Sequence, residues 1–414
     1  MAYGDGPDDK ALQSAWHDFC VRLEEAGQRV FKDVNPGIGI QRADGFRYLT
    51  RNLTQAFDLA LETKDTKFPL IHHFCGPTRG LGSDNADAIY LQAWIDGESV
   101  YKISGSRGSA RFWNITVQGE RPASGVLHEP FGDTPRANIT GDELVTEWDG
   151  SFVLYIGGER QGPNWLPTTP DSRKLFCRQY FDRWDEEPAA YRIERVGMTA
   201  PPEPASPARM TEAMRWAGQF VYDVVDEWPD HLWNAGQLCN PEAINRFDAE
   251  SYRTARSSQA NWERDPAEIR RGRLLTMMRW ALEPGQVLVL EFDAPSSFWM
   301  LTNEAIFGNA MDYRYRPVSY TPSRTAVDPD GRIRLVMADA DPGYHNWIDT
   351  MGYQAGVVNF RNVLDPSLPE LKTTVLPRAE LDSFLPPGSK RATPERRTAQ
   401  MLERFHAIQR RFRI

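Results

Sequence analysis

The sequence predicts an α+β protein rich in β-structure. Two tandem, pseudo-repeated β-sandwich or jelly-roll-like modules are flanked by an N-terminal helical hairpin, a helical insertion and a C-terminal helix. Three observations carry this. An Asp-Gly turn opens an alternating apolar run twice, Asp149-Gly150 before Phe152, Leu154 and Ile156, and Asp330-Gly331 before Ile333, Leu335 and Met337, as β-strands leaving a hairpin turn do. Each run then meets a Gly/Pro break and an Asn-Trp pair, in Asn164-Trp165-Leu166-Pro167-Thr168 and Asn346-Trp347-Ile348-Asp349-Thr350. Upstream, Trp94, Phe112, Trp113 and Thr116 recur as Trp280, Phe298, Trp299 and Thr302 with the same internal spacing. Repeats of about 80 to 100 residues, present only twice, make a pseudo-symmetric pair of sandwiches or rolls rather than a solenoid.

Taken in order, residues 1–66 form the helical hairpin. Leu12, Trp16, Phe19, Leu23, Ala26 and Val30 repeat at helical spacing over 9–33, and Phe46, Leu49, Leu53, Phe57 and Leu61 do so from about Asp44. The first β module occupies 67–197. Its strands are expected near 89–95, 99–104, 111–118, 143–148, 151–157, 174–183 and 190–196, with a loop excursion over 119–141. Residues 198–273 hold a Pro-rich linker, a helix over about 209–227 and short helices in 229–272. The second module, 274–384, has strands near 274–282, 286–292, 298–304, 317–321, 332–338 and 355–363. In the tail, 385–414, Thr393 caps a helix with Pro394 at its first position. Its apolar stripe is Leu402, Phe405, Ile408 and Phe412, and eight Lys or Arg face two Glu. Docking on the acidic body or on a partner subunit is the expected use of this basic helix, ahead of a membrane surface.

Composition narrows the classes. The chain has 414 residues, 41% hydrophobic and 25% charged, as in ordinary soluble domains. Its net charge of −9 argues against nucleic acid as the main partner. Four cysteines, Cys20, Cys75, Cys177 and Cys239, lie far apart without a C-x-x-C pair. Neither zinc nor a disulfide framework is expected, and a reducing cytoplasm fits. No signal peptide is expected, and no apolar run approaches the roughly 18 residues that span a bilayer. The thirteen Trp fill sheet interfaces or line an aromatic cleft.

The stretch Asp339 to Arg361 is the densest in groups that titrate, hydrogen-bond or stack. His345 is a candidate acid or base, with Asp341 or Asp349 to orient its ring; the alternative is a loop histidine without a role. Asp341 and Asp349 are paired carboxylates for acid–base chemistry or caps of their turns. Asn346 and Trp347, being repeated, read as a brace and a plug or as walls of a cleft. Tyr353, Tyr313 and Arg314, with the turn Asn85, Asp87 and Tyr90, complete the expected walls, Arg314 as a fork for a carboxylate or sulfate. His72 and His73 point to opposite sides of an extended chain, so no metal site is expected. No phosphate loop, dinucleotide fingerprint, nucleophile elbow or H-E-x-x-H is present, and no organic cofactor is expected.

The run Asp341-Pro342-Gly343, Asn346-Trp347-Ile348-Asp349-Thr350 and Gly352 resembles the signature of domain-of-unknown-function family 1214. Asp312, Tyr313, Arg314, Pro317, Val318 and Ser319 match it too, as does G-S-D-N-A-D-A-I-Y, with Ala86 where the family usually has Pro. A weaker similarity to family 1254 is confined to the first module. The resemblance covers most of 40–365. It implies a β-rich two-module body and a context of steroid, aromatic or other xenobiotic breakdown, and it supplies no catalytic residues. Two function classes follow. One is a cofactor-independent hydrolase or lyase acting on a small, largely apolar organic molecule; the other is a non-catalytic binding or accessory protein using the same cleft, with homo-oligomerisation through the C-terminal helix an added expectation.

Overall fold

The computed structural model describes the chain except residues 1–3, 5, 121–132, 234–239, 241, 249–272, 364–367 and 414. Most of the expected short helices of 229–272, with Cys239 and Trp262, therefore lie outside the described residues. The first module contains β1 (His72–Cys75), β2 (Ala88–Trp94), β3 (Tyr101–Ser106), β4 (Phe112–Gly119), β5 (Thr134–Thr140), β6 (Ser151–Ile156), β7 (Trp165–Leu166), β8 (Ser172–Tyr180) and β9 (Ala190–Arg195). The second contains β10 (Arg273–Ala281), β11 (Gln286–Asp293), β12 (Phe298–Glu304), β13 (Ser319–Tyr320), β14 (Arg332–Ala338), β15 (Trp347–Asp349), β16 (Ala355–Val363) and β17 (Lys372–Pro377).

Each module is two sheets. The front sheets run β1-β2-β8-β4-β5 and β10-β16-β12-β13; the back sheets run β7-β6-β3-β9 and β15-β14-β11-β17. Without β1 the two halves have the same order, position for position. Even the parallel pairs, β6 with β7 and β14 with β15, coincide. Between the sheets the repeated aromatics meet edge-on, Trp113 with Phe152 at 5.7 Å and Trp299 with Phe292 at 5.2 Å between ring centroids.

One expected equivalence slips. Ala88 pairs with Tyr180 and Arg273 with Val363, as Phe112 and Phe298 do across the same strands. Trp94 is therefore the counterpart of Arg279, and Ile95 that of Trp280. A one-residue shift turns a side chain to the opposite face. Trp280 accordingly packs inside its sandwich, while Trp94 faces outward from its own. The sandwich makes room for Trp280 with Gly356, where a Cβ would come within 2.7 Å of the indole ring. Three further differences concern strands. Residues 143–148 are an irregular segment between two turns, where Asn164 holds the backbone of Val145. The expected loop excursion includes β5, and the short strands β7 and β15 and the edge strand β17 carry too little alternation to be read in advance.

Helices α1 (Pro7–Arg29), α2 (Gly39–Phe57) and α3 (Pro207–Trp233) cover the front sheets. Phe19, Tyr48, Phe220 and Val224 share one core with Phe112 and Tyr180 of the first module and Phe298 and Met300 of the second. Single apolar stripes of this kind need a sheet to cover them. The chain ends with α4 (Leu381–Phe384) and α5 (Pro394–Phe412). Thr393 caps α5, its hydroxyl accepting from the Arg396 N–H at 3.2 Å. The buried face of α5 is not the expected stripe. It carries Arg397, Arg404, Ala407, Ile408, Arg411 and Phe412, while Leu402 is exposed. Arginines seven apart lie two helical turns apart on one face, and each has acceptors on the body of this chain.

Candidate functional site

The residues singled out from the sequence fall into several structural networks, and His345 and Asp341 share one through Arg397 and Gln400. The Asp349 carboxylate accepts from Arg316 at 2.7 Å and from the Met351 N–H at 2.7 Å, holding Met351 at a φ of +59°. His345 Nδ1 lies 3.0 Å from Gln400 Nε2 under α5, and burial with Lys390 nearby pushes its pKa down to about 4. Asp341 is bound by Arg397 at 2.9 Å. Tyr353 is buried against Asp44, and desolvation raises its phenol. Tyr313 is buried beside Phe412, and Arg314 pairs with Asp312 at 3.1 Å. Asn85 closes a turn by accepting from the Asp87 N–H at 2.8 Å, and Asp87 pairs with Arg324 at 2.5 Å.

Asn346 and Trp347 have counterparts that repeat their bonding. Asn346 donates to Ala326 and Arg334 carbonyls and accepts from the Ala326 N–H; Asn164 does the same with Val153 and both groups of Val145. Each indole N–H donates to the end of the neighbouring strand, Trp347 to Ala338 at 3.0 Å and Trp165 to Gly157 at 3.2 Å. Three bonds to a loop that would otherwise leave its backbone groups unpaired make this motif a brace of the module.

A different constellation stands out on the outward face of the first front sheet, under the helices. Strand pairing sets Gln92, Phe176 and Thr116 in one row, Tyr90, Arg178 and Asn114 in the next, and Trp94, Lys174 and Gln118 in a third. Gln92, Asn114 and Gln118 are all buried, an unusual content for a covered sheet face. Asn114 donates to Asn138 at 2.7 Å and Thr116 does so at 2.9 Å. Among the described residues, both side-chain ends of Gln92, the Trp94 indole N–H, Asn114 Oδ1 and Gln118 Oε1 have no partner. Buried polar atoms are nearly always paired with protein, water or ligand, and each orphan costs about 1 to 3 kcal/mol. The aromatic rings of Phe176, Tyr90, Tyr180 and Phe112 stand among them, Tyr90 and Tyr180 at 6.3 Å and Phe112 and Tyr180 at 5.1 Å.

The second module reaches this face through Arg361. Its guanidinium donates to the Ser83 carbonyl at 2.6 Å, Asn359 Oδ1 at 3.1 Å and the Tyr90 hydroxyl at 3.4 Å. Ser83 sits at a φ of +55°, a rare conformation for a residue with a side chain. Glu304 lies beyond Asn359, whose amide it accepts at 2.8 Å, and its Oε2 has no partner among the described residues. Desolvation pushes this carboxyl up to about 8, so it is largely protonated at neutral pH, and Asp84 is pushed up to about 6 for the same reason. Burial thus raises carboxyls here, and also at Asp44 beside Tyr353 and at Glu186, none of which belongs to the Asp339–Arg361 stretch itself. Gln92, Asn114, Gln118 and Glu304 were passed over because alternating polar residues on a strand read as its solvent side. The signal available was the arginine in mid-strand in both halves, Arg178 and Arg361, which the register makes equivalent.

A groove of about 730 Å³ lies between α1 and α3, lined by Ala11, Pro207, Thr211, Trp216 and Phe220 and by none of these polar groups. Lys64 connects the two regions, its Nζ 5.5 Å from the Trp94 ring and 5.7 Å from the Trp216 ring. No group of three or more His, Cys, Asp or Glu placed to hold a metal ion occurs among the described residues.

Residues 88–181 match the family described as protein of unknown function (DUF1214). This segment belongs to DUF1214. It begins with β2 and ends just past β8, so every orphan atom on the sheet face lies within it. The expected family is therefore matched in the first module, where the match takes in the end of the Gly82–Tyr90 run, and not at the second-module motifs that carried most of the resemblance. The similarity to family 1254 gains no support. Beyond the DUF1214 segment, 89% of this chain and 99% of the other align with the crystal structure of an uncharacterized protein from Burkholderia cenocepacia, at 25% identity and a TM-score of 0.77. A crystal structure of a Vibrio parahaemolyticus protein aligns over 85% of this chain and 100% of its own, at 12% identity and a TM-score of 0.43. No curated protein matches the chain.

Proposed function

We propose that the protein binds a small organic molecule against the front sheet of the first module. The observation that supports this is the set of orphan donors and acceptors on Gln92, Trp94, Asn114 and Gln118, on one buried face among aromatic rings. Both donors and acceptors wait there, so the ligand carries hydrogen-bonding oxygens or nitrogens on an otherwise apolar, ring-containing body. This keeps the expected apolar, aromatic-walled ligand and adds a polar edge to it. The groove beside Trp216 is the proposed mouth, with Lys64 at its inner end.

Binding is preferred to catalysis because Asp349 is engaged by Arg316, and His345 and Asp341 are tied into a structural network around Arg397. A hydrolase or lyase reading rests on Glu304, a carboxyl that stays protonated near neutrality and can serve as a general acid. The described cysteines are free, which fits the proposed cytoplasmic location. No helix among the described residues is long and apolar enough to cross a membrane. Self-association through α5 would have to use its outer side, where Leu402 is exposed.

The test is a thermal-shift screen of aromatic acids, steroids and glycosides, repeated on Gln92→Leu. A binding face predicts a ligand that raises the melting temperature of the parent and not of the variant, and an unliganded variant no less stable than the parent, since its orphan atoms are gone. A high-resolution crystal structure with ordered water satisfying every one of these atoms, together with an empty screen, would count against the proposal.

A further inference from the structure

A second buried cluster, independent of the ligand face, surrounds Trp184. Arg324 comes from the short 3-10 turn Pro322–Arg324, Arg404 and Arg411 from α5, and Asp87 from the turn before β2. The three guanidinium carbons lie 4.0, 4.9 and 5.3 Å from the centroid of the Trp184 ring. Against these three cations stands one central carboxylate, Asp87, 2.5 Å from Arg324 Nη2 and 4.0 Å from Arg411 Nη1. Glu186 is also near Arg411, but its Oε2 is turned to the backbone N–H groups of Asp182 and Arg183, at 2.6 and 3.2 Å. Arg410, on the same side, is paired with Glu187 at 2.8 Å.

Outside the Asp87 carboxylate, the hydrogen-bond partners of the three guanidinium groups among the described residues are neutral oxygens. Arg324 Nε donates to Thr321 at 2.8 Å, Arg404 gives both Nη groups to Ser319 at 3.1 and 3.0 Å, and Arg411 Nη2 donates to the Arg183 carbonyl at 2.6 Å. Arg324 Nη1, Arg404 Nε, and Arg411 Nε and Nη1 have no hydrogen-bond acceptor among the described residues. Arg404 and Arg411 are each 3% exposed. The face of Trp184 attracts cations but offers N–H groups no lone pair in the ring plane. Cations this deep are tolerated only when paired and hydrogen-bonded. Desolvation and mutual repulsion accordingly lower Arg404 to about 10 and Arg411 to about 9.

We infer that the protein holds a small inorganic anion, of halide size, in this closed site between Arg324, Arg404 and Arg411. Such an ion supplies the negative charge that Asp87 alone does not and accepts the four free N–H directions. It ties α5 to the first module and to the 3-10 turn of the second. A halide suits the site because Asp87, Arg404 and Arg411 are all buried.

Crystals of the full chain grown without halide and soaked in sodium bromide provide the direct test. An anomalous peak within hydrogen-bond distance of at least two of the three guanidinium groups is expected; ordered water alone at that place overturns the inference. In solution, exchange of sodium gluconate for sodium chloride at equal ionic strength is expected to raise the melting temperature by about 2 °C or more. That shift should vanish in Arg411→Met, which keeps an unbranched apolar stem and removes the charge. Equal melting temperatures in the two salts, or a chloride shift retained in Arg411→Met, overturn it; should Arg411→Met not fold, the bromide experiment on the parent chain decides alone.

Discussion

The two modules are the same structure with different surroundings. On the back sheet of the second, Val287, Val289, Val336, Ala338 and Trp347 form a third core with Tyr344, Leu381 and Leu385. Strand register makes Lys102, Tyr155, Trp165 and Val196 the counterparts of Val289, Val336, Trp347 and Leu376. In the first module no such roof exists among the described residues. Val153 and Val196 are exposed, and Trp148 on the neighbouring turn is 97% exposed. Burial of a sheet face is thus decided by chain outside the two sheets.

The front sheets differ in the opposite sense. Where the first has Gln92, Tyr90 and Asn114, the second has Met277, Leu275 and Met300, and Gln118 of the first is Glu304 in the second. Methionine and leucine fill the second face where the first carries amides and a phenol. This contrast is a further reason to seek ligand binding on the first.

The largest test of the comparison is the plug tryptophan. Trp347→Ala removes a buried ring under the roof of the second module and should cost about 3 to 5 kcal/mol in urea unfolding. Trp165→Ala, half-buried in the unroofed module, should cost about half as much; equal losses would mean the roof contributes nothing. The braces should behave alike. Asn164→Ala and Asn346→Ala each strand the same three backbone groups and should each cost about 3 kcal/mol. A gap of more than about 1 kcal/mol between them would break the equivalence of the modules.

Glu304→Gln sharpens the front-sheet contrast, because it installs the residue the first module already has. Glu304 is raised to about 8 by burial, so the folded chain keeps a proton that the unfolded chain releases. Its stabilising share is full below the usual carboxyl range near 4.5 and is lost as pH rises toward 8, by on the order of 5 kcal/mol. The variant should flatten that alkaline loss when unfolding is compared at pH 5 and pH 9; an unchanged pH profile would show that Glu304 is ionised in the fold. The smallest effect belongs to Trp148→Ser, expected within about 0.5 kcal/mol of the parent, as for surface positions without partners. A larger loss would reveal a cover on this face after all.

Much of the architecture was legible from local signals. The Asp149-Gly150 and Asp330-Gly331 turns, the Trp113 and Trp299 spacing, the Asn-Trp pairs and the Thr393-Pro394 cap all act within a few residues or repeat at fixed distances, so they survive in one dimension. The duplication, the three long helices and the start of α5 follow from them. The candidate site was not legible for a related reason. Gln92, Asn114 and Gln118 alternate with core positions such as Leu91, Ile115 and Val117, and alternation states only that two faces differ. Whether the polar face meets water or a layer of helices depends on α1–α3, which come from elsewhere in the chain. The register of β2 against β8 likewise decided that Trp94 looks outward while Trp280 looks inward, since a spacing along the chain does not record a one-residue slip between strands. Arg397, Arg404 and Arg411 announced a basic helix in composition alone. Only packing against Asp341, Ser319 and Asp87 made them its buried face, because a guanidinium becomes an interior group when acceptors from distant segments surround it.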